Sequence, residues 1–335
     1  MNRANPSKFL AFTWLLVIGL ITATNVVVAN TDISAVTAAP IKPDRVILLD
    51  VAMAGKRIVA VGERGVVLLS DDNGKTWTSV RAPVTRTLTA VTFFDDKVGI
   101  AVGHGGSVLR TEDGGKTWVQ VKIPEIGFDS VLGITKLGAK DVVAYGAFGM
   151  YIRSDDAGKT WTRPHILSKV ESFDRHIYKV IKAPNAVVVV AENGSLGRST
   201  DNGVTYEPIK SEYPGSYFGG VTAKDGSVII FGMRGTVYRS TDSGAKWTKI
   251  PVATKTGFNN GLLLTDGTLV LVGNVGLVAI SRDNGASFTL SNTKTRRGLA
   301  QVVEIGKNEF IWVGEGGVGV VEADAWNTAR ISSIQ

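Results

Sequence analysis

The sequence predicts an all-β protein, a seven-bladed β-propeller of four-stranded antiparallel blades, and three observations carry that expectation. An eight-residue turn recurs six times, a short glycine-bearing turn recurs seven times, and runs of apolar residues of strand length fill the intervals.

The eight-residue turn is first seen from Ser70 to Trp77, Ser-Asp-Asp-Asn-Gly-Lys-Thr-Trp. It returns at Thr111 to Trp118, Ser154 to Trp161, Ser199 to Tyr206, Ser240 to Trp247 and Ser281 to Phe288. Each copy places an Asp two residues after a hydroxyl, a Gly four after it and an aromatic seven after it. The closing aromatics stand at 77, 118, 161, 206, 247 and 288, a period of 41 to 45 residues. An Asp carboxylate can accept from the backbone N–H groups of its own tight turn, glycine supplies a positive φ, and the hydroxyl adds a local bond. The aromatic opens the next strand and is large enough to fill the gap between neighbouring sheets. Asp72, Asp113, Asp156, Asp201, Asp242 and Asp283 are therefore expected to be structural.

The second copy shows how one unit is built. Leu88 to Phe94, Val98 to Val102, Ser107 to Arg110 and Trp118 to Ile123 read as four strands, separated by Asp95-Asp96-Lys97, by Gly103-His104-Gly105-Gly106 and by the eight-residue turn. The glycine-bearing turn between second and third strands counts seven units, starting at Gly62, Gly103, Gly146, Glu192, Gly232, Gly273 and Gly314. The last unit lacks an eight-residue turn and a good fourth strand. Ile33 to Ala38, followed by Pro40, echoes the fourth strands that end at Pro83 and Pro124, so the chain N-terminus is expected to close the ring and remove an exposed edge. Ala329 to Ile334 is the alternative closing segment.

Residues 1–29 stand apart. Arg3 and Lys8 precede an apolar run from Phe9 to Ala23, and Val27-Val28-Ala29 fits a small-residue cleavage site. This reads as a secretory signal peptide, with an uncleaved anchor as the alternative, and leaves residues 30–335 as one propeller. The chain has no cysteine, which excludes a disulfide framework. Its formal charge of +7 falls to +5 without the two leader cations, and the charges are scattered. That pattern speaks for an acidic partner or a membrane surface and against nucleic acid. No cofactor or metal is expected, since three histidines and no cysteine offer no ligand spacing.

Strand order sorts the turns by face. The second-to-third turns and the blade-to-blade loops share one face, and the eight-residue turns share the other with the first-to-second turns. The first face carries Glu63, Arg64, His104, Phe148, Asn193, Met233, Arg234, Asn274 and Glu315 at turn tips. Its loops add Arg81 and Arg86, then Lys169, Arg175 and His176, then Tyr213, Tyr217 and Phe218, then Lys255, Phe258 and Asn259, then Lys294, Arg296 and Arg297. Cations interleaved with aromatics suit a protein or acidic-peptide surface. The expected partner-binding set is Arg64, Arg234, Arg175, Arg296, Arg297, Tyr217 and Phe218. Arg110, Arg153, Arg198 and Arg239 each precede the hydroxyl of an eight-residue turn, and this periodicity marks them as structural.

The eight-residue turn resembles the BNR or Asp-box repeat, SxDxGxTW. Asp-boxes occur in sialidase-type enzymes and in binding propellers, so a glycan-binding or glycoside-hydrolysing propeller is the alternative reading. The sialidase family carries an Arg-Ile-Pro motif near its start and six blades; this sequence has neither. A closer resemblance, from about residue 44 to 322, is to the seven-bladed photosystem II stability/assembly factor family. It rests on Val61-Gly62-Glu63-Arg64-Gly65 followed by Leu68 to Trp77, and on Phe231-Gly232-Met233-Arg234-Gly235 followed by Tyr238 to Trp247. That resemblance implies a non-enzymatic assembly factor that binds membrane-protein intermediates through an arginine-rich patch. The implied protein is an exported monomer, periplasmic or lumenal and in peripheral contact with a membrane. In a non-phototroph the complex would be a different one, such as a transporter.

Overall fold

The computed structural model describes residues 41–164, 175–306 and 309–322. The leader, the closing strand expected near residues 33–38 and its alternative at 329–334 lie outside the described residues.

Seven antiparallel sheets follow one another along the chain, each beginning with the strand nearest the axis. Those first strands are Leu48–Ala54, Leu88–Phe93, Val131–Lys136, Ile177–Ala183, Tyr217–Thr222, Phe258–Leu263 and Leu299–Gly306. In blade one Val59 pairs with Ala52 on one side and Leu69 on the other, and the same meander repeats in each sheet. The second strands are continuous apolar runs such as Val142–Gly146 and Val228–Gly232, buried at every residue. They sit between two neighbouring blades, so neither of their faces reaches water.

The core is divided into seven apolar clusters, one between each pair of adjacent blades. The cluster joining Ile311 and Val313 of blade seven to Leu48, Ile58 and Leu68 of blade one closes the circle. The aromatics of the Asp-boxes fill these seams: Trp118 belongs to the seam between blades one and two, Trp161 to the next and Tyr206 to the one after. Gly158 has φ of +79°, and a Cβ there would lie 2.3 Å from Ile100 in the preceding blade. Turn geometry and seam packing thus demand glycine at one position.

Among the described residues five sheets have four strands and two have three. In blade three the outermost strand shrinks to a single bridge between Arg153 and Thr162, because Pro164 has no N–H to extend the ladder. In blade seven the three described strands end at Glu322. Among the described residues no helix is long and apolar enough to cross a membrane.

Candidate functional site

The two faces of the ring spend their polar groups differently. On the Asp-box face, the Ser154 hydroxyl donates to Asp156 at 2.8 Å and accepts from the Gly158 N–H at 2.8 Å. Asp156 also accepts from the Thr160 N–H at 2.9 Å and its hydroxyl at 2.6 Å. The same bonds recur around Asp72, Asp113, Asp201 and Asp283. In the fifth box, where Lys246 replaces the Thr, Asp242 keeps the backbone bond but has no hydroxyl donor at that slot.

At Asp72 the Thr76 hydroxyl, the Thr76 N–H and Ser70 hold the carboxyl at about 2. At Asp156, Asp201 and Asp283 partial burial pushes the other way, yet the turn donors outweigh it and these carboxyls also fall to about 2. All four stay ionised and fully engaged in their own turns.

The periodic arginines on this face tie each blade to the next. Arg110 donates to the Ala157 carbonyl at 2.9 Å, Arg153 to Asn202 at 2.8 Å, Arg198 to Ser243 at 2.9 Å and Arg239 to Asn284 at 2.8 Å. Every acceptor belongs to an Asp-box in the following blade. Arg57, from a different strand, does the same from blade one to the Gly114 carbonyl at 3.1 Å.

On the opposite face the acids of the turns are also engaged with backbone. Glu63 accepts from the Ile47 N–H at 3.1 Å, Glu192 from His176 at 3.1 Å and Glu315 from Gly298 at 2.9 Å. The cations are different. Among the described residues Arg64, Arg234, Arg296 and Arg297 form no ion pair with a carboxylate.

The turn tips present these groups at a conformational cost. Arg64, Phe148, Asn193, Arg234 and Val275 occupy one equivalent position in five blades, with φ between 52° and 56°. That left-handed region costs an ordinary residue roughly 1–2 kcal/mol, and a β-branched one is rarer still. Asn193 tolerates it, but Arg64, Arg234, Phe148 and Val275 adopt it while exposed, where burial gives little back. Strain of this kind is a hint of function.

Where the tip is glycine, an arginine arrives from elsewhere. Arg86 packs against Gly105 of blade two, and Arg297 lies over Gly316 of blade seven, its Nη1 2.4 Å from where a Cβ would stand. Arg297, Arg64 and Arg86 thus serve the turns of three consecutive blades, seven, one and two. Arg86 also lies 5.7 Å from the ring centroid of the exposed Phe128. Across the ring, an open cleft of about 460 Å³ runs beside Arg234, lined by Lys249, Ile250, Pro251 and Val252.

The tip of blade three adjoins aromatic residues. Phe148 stands edge-on to His176 at 4.8 Å, His176 to Tyr178 at 6.4 Å and Tyr178 to Phe218 at 5.3 Å between ring centroids. Burial, and then the charge of Glu192, push the Tyr178 hydroxyl above its ordinary range.

A family model described as Photosynthesis system II assembly factor YCF48 matches residues 76–324. The chain belongs to that family. A solved structure of YCF48 bound to a D1 peptide has a TM-score of 0.69 at 19% identity, over 84% of this chain and 95% of that one. YCF48 from Cyanidioschyzon merolae gives 0.66 at 16% identity, over 85% and 97%. An ancestral GH74 enzyme gives 0.70 at 14% identity, over 86% of this chain and 46% of that one. At these identities the solved structures speak for a shared fold. Among curated proteins none matches.

Of the residues that sequence reasoning selected for this YCF48-family surface, Arg64, Arg234, Arg296 and Arg297 are exposed, and Arg175 and Phe218 are half-buried. Tyr217 is not on the surface: it is 1% exposed, and its hydroxyl lies 2.8 Å from Ser211 Oγ. The reason is a β-bulge after the first residue of every inner strand, which leaves Tyr217 packed in the seam and its neighbour Phe218 unpaired. The bulged residues are Leu49, Thr89, Leu132, Tyr178, Phe218, Asn259 and Ala300, all half-buried. Sequence reasoning missed Tyr178, although aligning the seven units would have set it beside Phe218. Inside the ring, Asp50 bonds to the Val91 N–H at 2.9 Å and to Gln301 at 3.3 Å, joining blades seven, one and two. Burial raises its carboxyl above the ordinary range, against those bonds and the charge of Lys179.

Proposed function

We propose that this YCF48-family chain is a non-enzymatic scaffold whose turn face binds an acidic exported loop or tail of a membrane-protein complex. One observation carries the reading: Glu63, Glu192 and Glu315, the acids of the turns themselves, are spent on backbone N–H groups, while Arg64, Arg234, Arg296 and Arg297 are exposed and unpaired with carboxylates among the described residues. A cationic, strained and exposed set of tips is a surface prepared for an anionic partner. The D1 peptide bound to a fold relative supports a peptide as the ligand class.

Export by residues 1–29 to the periplasm or lumen, peripheral membrane contact and a monomeric state belong to the same proposal. So does a transporter or other complex as the partner in a non-phototroph. Glycoside hydrolysis is the weaker reading. It needs two carboxylates free to act on one bond; of the few acids on this face, Glu63 and Glu315 are each held by a backbone donor, and Glu171 and Asp174 lie outside the described residues.

The test is charge reversal of Arg64 and Arg234 together, followed by capture of the partner complex from solubilised membranes. Weaker capture at an unchanged melting temperature is the expected result, because exposed charges contribute little to folding. Raising salt from ~0.05 to ~0.5 M should weaken the parent complex too, as screening shortens to below about 5 Å. A complex indifferent to both would remove the charged face from consideration.

A further inference from the structure

We propose that Phe148, His176, Tyr178 and Phe218 form an aromatic docking ladder for an acidic peptide that also carries an aromatic or large aliphatic side chain. The inference rests on the turn-face reading above and adds an apolar requirement to it.

Position comes first. The ladder runs from the turn tip of blade three, through the start of blade four's inner strand, to the bulge of blade five, so three blades contribute to one continuous surface. Each step is an edge-to-face contact between 4.8 and 6.4 Å. Such stacks leave ring faces open at the ends, and the outermost ring is: Phe148 is 67% exposed with φ of 52°. A glycine or asparagine would sit there without strain, as Asn193 does in the next blade. An exposed phenylalanine in the left-handed region is explained by what it touches in a complex, and not by the fold it belongs to.

The ladder is also held in place. The Phe148 N–H donates to His176 Nδ1 at 3.1 Å, and the His176 N–H donates to Glu192 at 3.1 Å. Aromatic surface fixed before binding loses little side-chain freedom on contact. The chemistry of the occupant follows from what flanks the ladder. Arg234 stands on the blade-five turn whose Gly232 lies against the backbone of Tyr217 and Phe218. On the ladder's other side, past blade three, comes the arc of Arg86, Arg64 and Arg297 over blades two, one and seven. An extended segment lying across this face meets cations at both ends and aromatic rings between them. Acid groups flanking an apolar side chain are the complement.

The probe is a pair of fluorescent synthetic peptides of about twelve residues, long enough to reach roughly 40 Å when extended. Both are rich in Asp and Glu; one has a central Phe and the other a Ser in its place. Anisotropy is read on the full chain, on Phe148→Gly, on Tyr178→Ser and on the Arg64→Glu, Arg234→Glu double variant. The parent should prefer the Phe peptide by about tenfold or more, the scale of burying one such side chain. Phe148→Gly should bring that preference below about threefold, and it relieves strain, so a loss there is not a loss of fold. The double arginine variant should weaken both peptides alike and leave their ratio intact.

Equal binding of the two peptides by the parent would overturn the ladder while leaving the charge reading standing. A retained preference together with affinities that neither salt nor the arginine variant lowers would keep the ladder and sink the charge reading. Failure of both peptides to bind overturns the ladder as a peptide site. Binding of the parent to anionic phospholipid vesicles in place of the peptides, lost in Phe148→Gly, would reassign these rings to a lipid surface and overturn it as well.

Discussion

The two faces of this ring are made of the same residue types put to opposite uses. On the Asp-box face five arginines reach forward to a carbonyl of the next blade, and six aspartates close their own turns. On the turn face Glu63, Glu192 and Glu315 cap backbone N–H groups while Arg64 and Arg234 stand outward at tips that prefer glycine. An arginine bonded to a carbonyl of the next blade is explained by the fold, whereas an exposed arginine at φ of 56° is not. The contrast therefore separates residues that hold the ring from residues that the ring holds out.

The greatest loss of stability is expected where the circle shuts. Blade seven's third strand already meets the chain's N-terminal part, since the Val318 N–H donates to the Pro43 carbonyl at 3.2 Å and Ile41 packs into the seam between blades seven and one. Pro43 lies against Gly317 as Val84 lies against Gly65 in blade one, after that blade's outer strand. Deleting residues 31–40 should lower the melting temperature more than any point change discussed here. A truncated chain that melts like the full one would locate the closing strand elsewhere.

Next come single changes on the Asp-box face. Asp201→Ala strands the donors of Ser199, Val204 and Thr205, and Arg198→Ala leaves the Ser243 carbonyl without its interblade partner. Water reaches the first turn, so about 1–2 kcal/mol is expected for each, read as a shift in urea midpoint at constant slope. Peptide binding by the folded fraction should not move. Lost binding at full stability would transfer function to this face and break the comparison.

Most of this face was legible in the sequence, because a period of 41 to 45 residues exposes every position that geometry holds constant. The blade count, the sorting of turns by face and the structural role of the boxes all follow from that repetition. What the arginines bind did not follow, because the acceptor is a backbone carbonyl about 45 residues away, which side-chain identity does not report. Tyr217 was misplaced for a related reason: a bulge after the first residue shifts the alternation by one, and alternation is what tells inside from outside. The loss of blade three's outer ladder was written in Pro164, though its neighbours Trp161 and Thr162 read as an ordinary strand. The cationic arc was half hidden too, since Arg86 and Arg297 reach glycine tips from loops and fill places where the turn sequence shows no arginine.

Acid should destabilise the ring through its Asp-boxes. The carboxyls of Asp72, Asp156, Asp201 and Asp283 are held at about 2 against an ordinary 3.8. A folded-state value below the unfolded one means stability that is complete above about 3.8 and is lost as pH falls through the folded value near 2. Asp50 has the opposite sign, since burial raises it, and its contribution improves as it protonates. The melting temperature should stay level from neutral pH to about 5 and drop between about 4 and 2. Asp201→Ala should flatten that drop, and Asp50→Asn should leave the drop in place; a slope unchanged by Asp201→Ala would mean the boxes do not carry the acid response.

The smallest stability effect belongs to the turn tips, and its sign is the sharpest way to test the comparison. Arg64→Gly, Arg234→Gly and Val275→Gly each relieve a left-handed residue, which favours folding by roughly 1–2 kcal/mol, and each loosens the unfolded chain, which costs about 0.4–1 kcal/mol. The net expected change runs from nothing to a gain of about 1.6 kcal/mol. On the Asp-box face, by contrast, Ser243→Gly at φ of 55° relieves the same strain at a site whose carbonyl still accepts from Arg198, so it should stabilise with no other consequence. On the turn face stabilisation should come with weaker binding of acidic peptide, greatest for Arg64→Gly and Arg234→Gly. If the tip variants are stabilised and bind as before, their strain serves neither folding nor recognition, and the turn face loses the feature that sets it apart. If they are destabilised by more than about 1 kcal/mol, the exposed side chains hold the fold after all, and the division between the faces fails at its root.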